Sequence, residues 1–442
     1  KITFSTETLR VAKNPNPFFN IPKREMGKRS RMREAIPEAI WVEIHARLPL
    51  RSIARFKTVC KRWKSAIESC YFRRLFVSLH RNSYSSWSLM FDRYIDYPIT
   101  EAIGFHGCRR WDLPKIPSSY IVHFKPYPNL PASKIRCVAS SNGLVLLEYV
   151  VVGTVSPGQP PTYLIVCNPV LRQWVEIPPL RENSTWVRPI GLVTRAEEDG
   201  GVVSSFKVVM TCKMDRPGDK SVYVYSSETG LWTFKRLLLL NKPVFSPAKN
   251  HSGMLYRWKK DPYGTGPGVV LAHDFYGPED DDQWRVIPLP LPYNEDVRRC
   301  LTTSRGDLIY MEVLSHVLKV WRLKDNNYSG GECWHLSRED INMASVGFDV
   351  DCFPMGANPF DSDIVYLWSL QHKSLVFGDL RTLKFIVHQE SENPSSCEED
   401  CCVVNTLGSK LYTQFYFDAT SVLMLSQFVL PQWMGPVPRP PN

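Results

Sequence analysis

The stretch Ile36–Phe76 reads IPEAIWVEIHARLPLRSIARFKTVCKRWKSAIESCYFRRLF. Pro37 suits the first turn of a helix, where its missing N–H leaves no hydrogen bond unmade. Ile40, Ile44 and Leu48 then recur every four residues, one stripe of a 3.6-residue period, until Pro49 interrupts it. A second helical pattern carries Ile53, Phe56 and Val59, and a third carries Trp63 and Ile67 before Phe72. Arg47, Arg51, Arg55, Lys57, Lys61, Arg62 and Lys64 fill the positions between, as a solvated basic face or the rim of a contact with an acidic protein. A segment of about 40 residues rarely closes a core of its own without a disulfide, a metal or a partner. Three short helices this rich in apolar side chains therefore read as half of an interface.

The same residues resemble a known family, the F-box. Its Leu-Pro pair, Ile-Leu-x-Arg-Leu-Pro turn, Val-Cys-Lys-x-Trp and trailing Phe correspond here to Ile36-Pro37, Ile44-His45-Ala46-Arg47-Leu48-Pro49, Val59-Cys60-Lys61-Arg62-Trp63 and Phe72. Ile36 departs conservatively from Leu, whereas His45 sets a polar ring where an apolar residue is usual. The resemblance implies docking to a Skp-type adaptor through Ile36, Pro37, Ile40, Ile44, Leu48, Pro49, Ile53, Val59, Trp63 and Ile67.

Outward from this segment, 442 residues exceed one average domain, and 43% hydrophobic residues mark a globular chain. Its 35 prolines and 13 tryptophans favour turns and strands over helical bundles. No apolar run is long enough to span a membrane as a helix, and the visible start lacks the apolar core of a secretory leader. Twelve cysteines without repeated spacing are then expected as buried free thiols in a reducing compartment. Charge is uneven: residues 1–81 hold 19 Lys/Arg against 6 Asp/Glu, and the remainder 35 against 38. The larger part is therefore no polycation seeking nucleic acid. The basic cluster Lys23-Arg24, Lys28-Arg29, Arg31 and Arg33 is compatible with nuclear import, so nucleus, cytoplasm or both are expected.

Residues 1–34, with Asn14-Pro15 and Asn16-Pro17, have the composition of a disordered basic tail. The three-helix segment occupies 35–78, and 79–134 connects it to the rest, with Trp87 to Phe91 as a strand candidate. From 135 to 430 an aromatic at a short strand recurs at Trp174, Trp232, Trp284, Trp334 and Phe385, at intervals of 58, 52, 50 and 51 residues. A turn followed by an apolar strand recurs in step, at Asn142-Gly143, Ser252-Gly253, Arg305-Gly306, Asp361-Ser362 and Leu407-Gly408. About four short strands per period near 50 is the pattern of a kelch-type β-propeller, whose blades bury their apolar faces only by stacking. The expected fold is thus multidomain: a small all-α F-box of three short helices followed by an all-β propeller, with six blades favoured over five or seven. The sixth blade is expected from Val403-Val404, Leu411-Tyr412 and Leu423-Met424-Leu425, with Trp87 to Phe91 closing the ring. Residues 431–442 read as a Pro-rich tail. Ser141-Asn142-Gly143-Leu144, Cys167-Asn168-Pro169, Arg172-Gln173-Trp174 and Ile177-Pro178-Pro179 also resemble the F-box-associated, kelch-like domains of plant proteins.

No catalytic motif of the common hydrolase, P-loop or zinc-protease kinds is present. Cys397, Cys401 and Cys402 with His388 have no standard zinc spacing and read as a loop with free thiols, so no metal or cofactor is expected. Gly264-Thr265-Gly266-Pro267-Gly268 reads as a hairpin loop rather than a phosphate cradle, and Asp280-Asp281-Asp282 as a solvated turn. The resemblance implies a non-catalytic subunit that links a Skp-type adaptor, and through it a cullin and a RING protein, to a protein substrate held by the propeller. Two rivals are an F-box scaffold without ubiquitin transfer and a kelch-architecture copper oxidase. The loops at Arg181 to Arg188, Tyr263 to Gly268 and Asn326 to Gly331 are long enough to reach a ligand, although no substrate residue is singled out.

Overall fold

The structure, a computed structural model, describes residues 37–80, 86–91, 101–106, 110–113, 117–122, 133–151, 162–180, 187–197, 201–212, 219–238, 248–251, 253–259, 268–278, 283–290, 297–326, 331–338, 340–348, 351–388, 401–404 and 422–441. Ile36 and the basic cluster of the tail lie outside them. The chain divides into two compact units, Lys1–Trp41 and Val42–Asn442. Of the first, the described residues are Pro37 to Trp41, where helix α1 (Glu38–Ala46) begins. No described helix is long and apolar enough to cross a membrane.

Helices α2 (Leu50–Phe56), α3 (Lys61–Glu68) and α4 (Cys70–Leu79) follow, so the expected trio is a quartet. α1 stops at Ala46, short of Leu48, because a residue before proline is pushed out of the helical region. Pro49 is instead the extended N-cap of α2, and its carbonyl accepts from Ser52 N at 2.9 Å and Ile53 N at 3.0 Å. Ser69, extended at ψ 148, divides α3 from α4, and its hydroxyl accepts from Phe72 N at 3.1 Å to cap the new helix.

The remainder forms six sheets of at least four strands each. In chain order the strands are β1 (Trp87–Met90) and β2 (Glu101–His106), then, after helix α5 (Pro117–Val122), β3 (Ser133–Ser141), β4 (Leu144–Val151), β5 (Thr162–Asn168) and β6 (Gln173–Ile177). The second blade is β7 (Val187–Ala196), β8 (Val203–Cys212), β9 (Asp219–Ser226) and β10 (Trp232–Leu238). The third is β11 (Ala248–His251), β12 (Met254–Lys259), β13 (Val269–Asp274) and β14 (Arg285–Pro288). The fourth is β15 (Arg298–Ser304), β16 (Asp307–Leu314), β17 (Val317–Asn326) and β18 (Gly331–Leu336), with β19 (Ile341–Asn342) beside β17. The fifth is β20 (Cys352–Asn358), β21 (Asp361–Ser369), β22 (Ser374–Asp379) and β23 (Lys384–Val387), followed by β24 (Cys401–Val404), β25 (Val422–Leu423) and β26 (Ser426–Val429). Each of these five blades is an antiparallel meander in sequence order.

The sixth blade has the order β24-β2-β1-β26 and so mixes strands from both ends of the propeller. Trp87 pairs with Val429 and Met90 with Ser426, which is the closure expected for the Trp87–Phe91 segment. β2 joins the same blade, so the segment before residue 135 supplies two of its strands. Leu423 departs from expectation. β25 pairs in parallel with the free inner edge of β15 in blade four rather than with the closing blade. Val422 to Leu425, at most 3% exposed, thereby take up space along the axis that the first strands of the blades leave open. Leu411-Tyr412 lies outside the described residues.

The recurrent aromatic marks the outermost strand of each of the five meanders, at Trp174 in β6, Trp232 in β10, Trp284 before β14, Trp334 in β18 and Phe385 in β23. Two of them show why the residue is Trp. Trp232 Nε1 donates to Pro178 O at 2.8 Å, and Trp334 Nε1 to Pro288 O at 2.9 Å, so each indole ties its blade to the end of the preceding one. The recurrent turn marks the hairpin between first and second strands at Asn142-Gly143, Gly253 and Arg305-Gly306, whereas Asp361-Ser362 opens β21 after that hairpin, and Ser252 and Leu407-Gly408 lie outside the described residues. Asn142-Gly143 and Arg305-Gly306 both have two successive residues at positive φ (47 and 77, 50 and 80), the tight turn that matches strand twist.

Near these turns the blades are joined by side chains. Asn250 Nδ2 donates to Ser141 Oγ at 2.7 Å and Asn142 Nδ2 to Thr194 Oγ1 at 2.9 Å. Ser140 donates to Gln427 O, Gln427 Nε2 to Thr303 O at 3.2 Å, and Ser304 to Asn358 O. Blade four also buries an ionic cluster: Arg299 Nε lies 3.7 Å from Glu312 Oε1, which accepts from Tyr310 Oη at 2.5 Å. Among the described residues Cys137, Cys167, Cys300 and Cys352 are buried free thiols and Cys333 is half-buried, whereas Cys60 and Cys70, where α3 and α4 begin, are free but exposed rather than buried.

Candidate functional site

Of the ten residues expected at an adaptor contact, Ile36 lies outside the described residues and the other nine divide by exposure. Ile40, Ile44 and Val59 are 51%, 50% and 61% exposed, and Pro37 is also exposed. Leu48, Pro49 and Trp63 are half-buried. Ile53 and Ile67 have no exposed surface, so in the chain as it stands they line its interior rather than an open face. Exposed apolar side chains at this density, each costing about 1.5–3 kcal/mol to leave uncovered, favour a protein partner.

His45, the polar ring at a usually apolar position, is only 8% exposed. Its ring meets Phe56 edge-on at 4.7 Å and Trp63 at 5.2 Å, and Phe56 meets Trp63 at 5.4 Å. The three rings form the aromatic interior between α1, α2 and α3, which explains how the helices accommodate His where Leu is usual. Lys57 and Glu68 link α2's end to α3 at 2.9 Å, and Lys57 holds the Glu68 carboxyl below its ordinary value.

The fourth helix carries a junction that the sequence did not announce. Phe72 and Phe76 of α4 are fully buried, and the Trp433 ring lies 6.1 and 5.2 Å from theirs. Trp433 belongs to residues 430–441, which are a packed strap rather than a free tail. Pro431 lies against the Asn142-Gly143 turn, where a Cβ at Gly143 would sit 2.4 Å from its ring. Trp111 Nε1 donates to Pro431 O at 2.8 Å, Val437 N donates to Gln173 Oε1 at 3.2 Å, and Val437 joins the core between blades one and two. Leu50 N donates to Arg110 O at 2.7 Å, Arg73 pairs with Glu197 at 2.8 Å, and Arg110 donates to His80 O. Burial first, then the Arg110 charge, lowers the His80 pKa below its ordinary 6.5. α2 and α4 are thereby fastened to the end of the propeller that bears the first hairpins.

The candidate substrate loops do not share one end. By strand order, the β6–β7 and β12–β13 connections leave at one end and the β17–β18 connection at the other. Residues 181–186, 263–267 and 327–330 themselves lie outside the described residues, as do Asp280 to Asp282 and Cys397. Cys401 and Cys402 are in β24, and no cluster able to hold a metal occurs among the described residues.

Comparison with known proteins agrees with this architecture. Residues 34–75 match the F-box domain, and residues 85–439 match the β-propeller of the family described as F-box protein At3g26010-like. This chain belongs to that family. The second match runs through the strap, which is therefore part of the family's propeller rather than an appendage. The chain is 51% identical over 444 residues to the F-box protein At1g49990 of Arabidopsis thaliana, covering 93% of this chain and 99% of that one. It is 39% identical to the Arabidopsis F-box protein At3g26010, covering 92% and 91%. Some relatives carry the kelch name, among them the putative F-box/kelch-repeat protein At1g15680 of Arabidopsis, 38% identical and covering 92% and 95%.

Proposed function

We propose that this protein is the substrate-recognition subunit of a Skp-cullin-F-box ubiquitin ligase. The observation that carries the reading is the exposure of Ile44 and Val59 in a segment that matches the F-box domain and buries Leu50, Ile53, Ile67 and Phe72. A Skp-type adaptor covers these side chains, and the cullin and RING protein follow through it. The propeller holds a protein substrate, and the chain supplies no reactive group of its own. Its contribution is proximity: a substrate lysine kept near the charged conjugating enzyme reacts as in an intramolecular step. The docking of α2 and α4 on the propeller supports this, because a stiff connection holds the lysine within a narrow range of positions. The protein acts in the nucleus, the cytoplasm or both.

The test is co-purification of the full chain with a Skp-type adaptor. Ile44→Glu with Val59→Glu places charges on exposed positions, so the variant folds with an unchanged melting temperature and loses the adaptor. Retention of the adaptor by the folded variant overturns the assignment. Transfer of ubiquitin is tested separately: a substrate bound by the propeller accumulates when the proteasome is blocked.

A further inference from the structure

Arginine three residues ahead of a hydroxyl, with a second basic residue between, is the charge pattern that basophilic protein kinases read in their substrates. Among the described residues arginine holds that spacing to Thr58 (from Arg55), Ser65 (from Arg62) and Thr302 (from Arg299). Lys57 and Lys64 supply the second charge in the first two. The structure separates the three. Arg299 and Thr302 are buried in blade four, out of reach of any enzyme. Ser65 is exposed but sits within α3, with helical backbone on both sides. Thr58 lies in the link between α2 and α3, where Thr58, Val59 and Cys60 are exposed in succession, and Arg55 is exposed as well. Two turn bonds hold the link, from Thr58 N to Arg55 O at 3.0 Å and from Val59 N to Phe56 O at 3.1 Å, and Thr58 Oγ1 donates to Arg55 O at 2.7 Å. Cys60 is already extended. Exposed turn bonds of this kind open far more readily than the interior of a helix.

We propose that Thr58 is a phosphorylation site for a basophilic protein kinase, and that a phosphate there blocks docking of the adaptor. In the transfer the Thr58 hydroxyl oxygen attacks the γ-phosphorus of ATP, its proton passes to the kinase's catalytic base, and ADP leaves. The first half needs only this chain and the kinase. The second half rests on the adaptor reading above, because Thr58 adjoins Val59, one of the two exposed side chains that carry it. A phosphothreonine bears about −1.5 to −2 charges at neutral pH, and covering Val59 would press that charge against an apolar contact, where it loses its water. It also offsets the exposed cations Arg55, Lys61 and Lys64 on either side of the link, which removes attraction to an acidic partner. Both effects act in the same direction. The modification therefore takes place on the free chain and keeps it free.

The experiment incubates the folded full chain with magnesium, ATP and the catalytic subunit of a cyclic-AMP-dependent protein kinase, locates phosphate by mass spectrometry, and then titrates the chain with a Skp-type adaptor. Phosphate enters Thr58 about tenfold faster than Ser65, and the modified chain binds the adaptor at least about tenfold more weakly. The modified chain keeps a cooperative melting transition, so the lost binding is not lost folding. Thr58→Val binds the adaptor equally before and after the same treatment, which ties the effect to that hydroxyl. Absence of phosphate at Thr58, faster modification of Ser65, or an affinity unchanged by phosphate at Thr58 overturns the proposal. An untreated chain that ignores the adaptor overturns the function proposed above instead, and phosphate found at Thr58 of that chain still upholds the acceptor site.

Discussion

The ring of Trp433 meets that of Phe76 edge to face at 5.2 Å and 61°, joining the C-terminal strap to α4. Trp433→Ala removes this contact and the one to Phe72, at a cost of about 3–5 kcal/mol for a buried aromatic. The expected outcome is faster hydrogen exchange in α2 to α4 with blade four unchanged. Gly143→Ala acts on the same strap from beneath, by forcing the Pro431 ring away, and shifts the exchange in the same direction. Uniform protection in both variants contradicts the strap's role.

Ile53 and Ile44 have similar side chains in opposite surroundings. Ile53→Ala leaves a cavity in the helical interior and costs about 2–5 kcal/mol of stability, whereas Ile44→Ala costs little because half of that side chain is already in water. Adaptor affinity shifts the other way, with Ile44→Ala losing more per unit of lost stability. Thermal melts paired with adaptor titrations separate the two effects.

The indole links between blades are also separable. Trp334→Phe keeps a ring but leaves Pro288 O without its donor, and Trp232→Phe does the same to Pro178 O. Each change costs about 1 kcal/mol. The two links join different pairs of blades, so the double variant loses about the sum in chemical denaturation.

The His80 junction gives stability a pH dependence. The folded chain holds His80 below its ordinary 6.5, so the unfolded chain takes up the proton first. Stability is therefore full above about 6.5 and falls as the pH drops from there through the lower folded value. His80→Gln flattens this part of the profile, measured by denaturant unfolding between neutral and mildly acidic pH. An identical slope in the variant contradicts it.

In blade four, Glu312→Gln keeps the shape but leaves Arg299, 1% exposed, without its carboxylate. Breaking a buried pair from one side costs about 3–5 kcal/mol, so the variant melts well below the wild type. Restoring neutrality with Arg299→Met beside Glu312→Gln recovers part of the loss.

The propeller was legible because its signal is periodic. Trp174, Trp232, Trp284, Trp334 and Phe385 each fall at an outermost strand, and Gly143, Gly253 and Gly306 fall at first hairpins, so the spacing of the aromatics located five blades. The axial role of Val422 to Leu425 was not legible, since a short apolar run reads the same in a blade or along an axis. The strap was missed for a related reason: Pro431 to Pro441 has no period, and its partners Phe76, Gly143 and Gln173 are far away in sequence. In the helices the apolar stripe was visible, but it does not distinguish Ile44, which faces water, from Ile53, which is covered by its own chain. His45 stands out in the sequence only as a polar ring at an apolar position, because its packing against Phe56 and Trp63 depends on how the helices meet.

The closing blade sets β26, the last strand of the propeller in chain order among the described residues, beside β1, the first. During translation the other blades emerge with their strands in order, but the ring stays open until residues 426–429 leave the ribosome. Trp433 follows only after that and fastens the helices. A message cut short anywhere before this point yields an unsealed ring with loose helices, so the cell obtains a rigid bridge only from chains translated past Trp433.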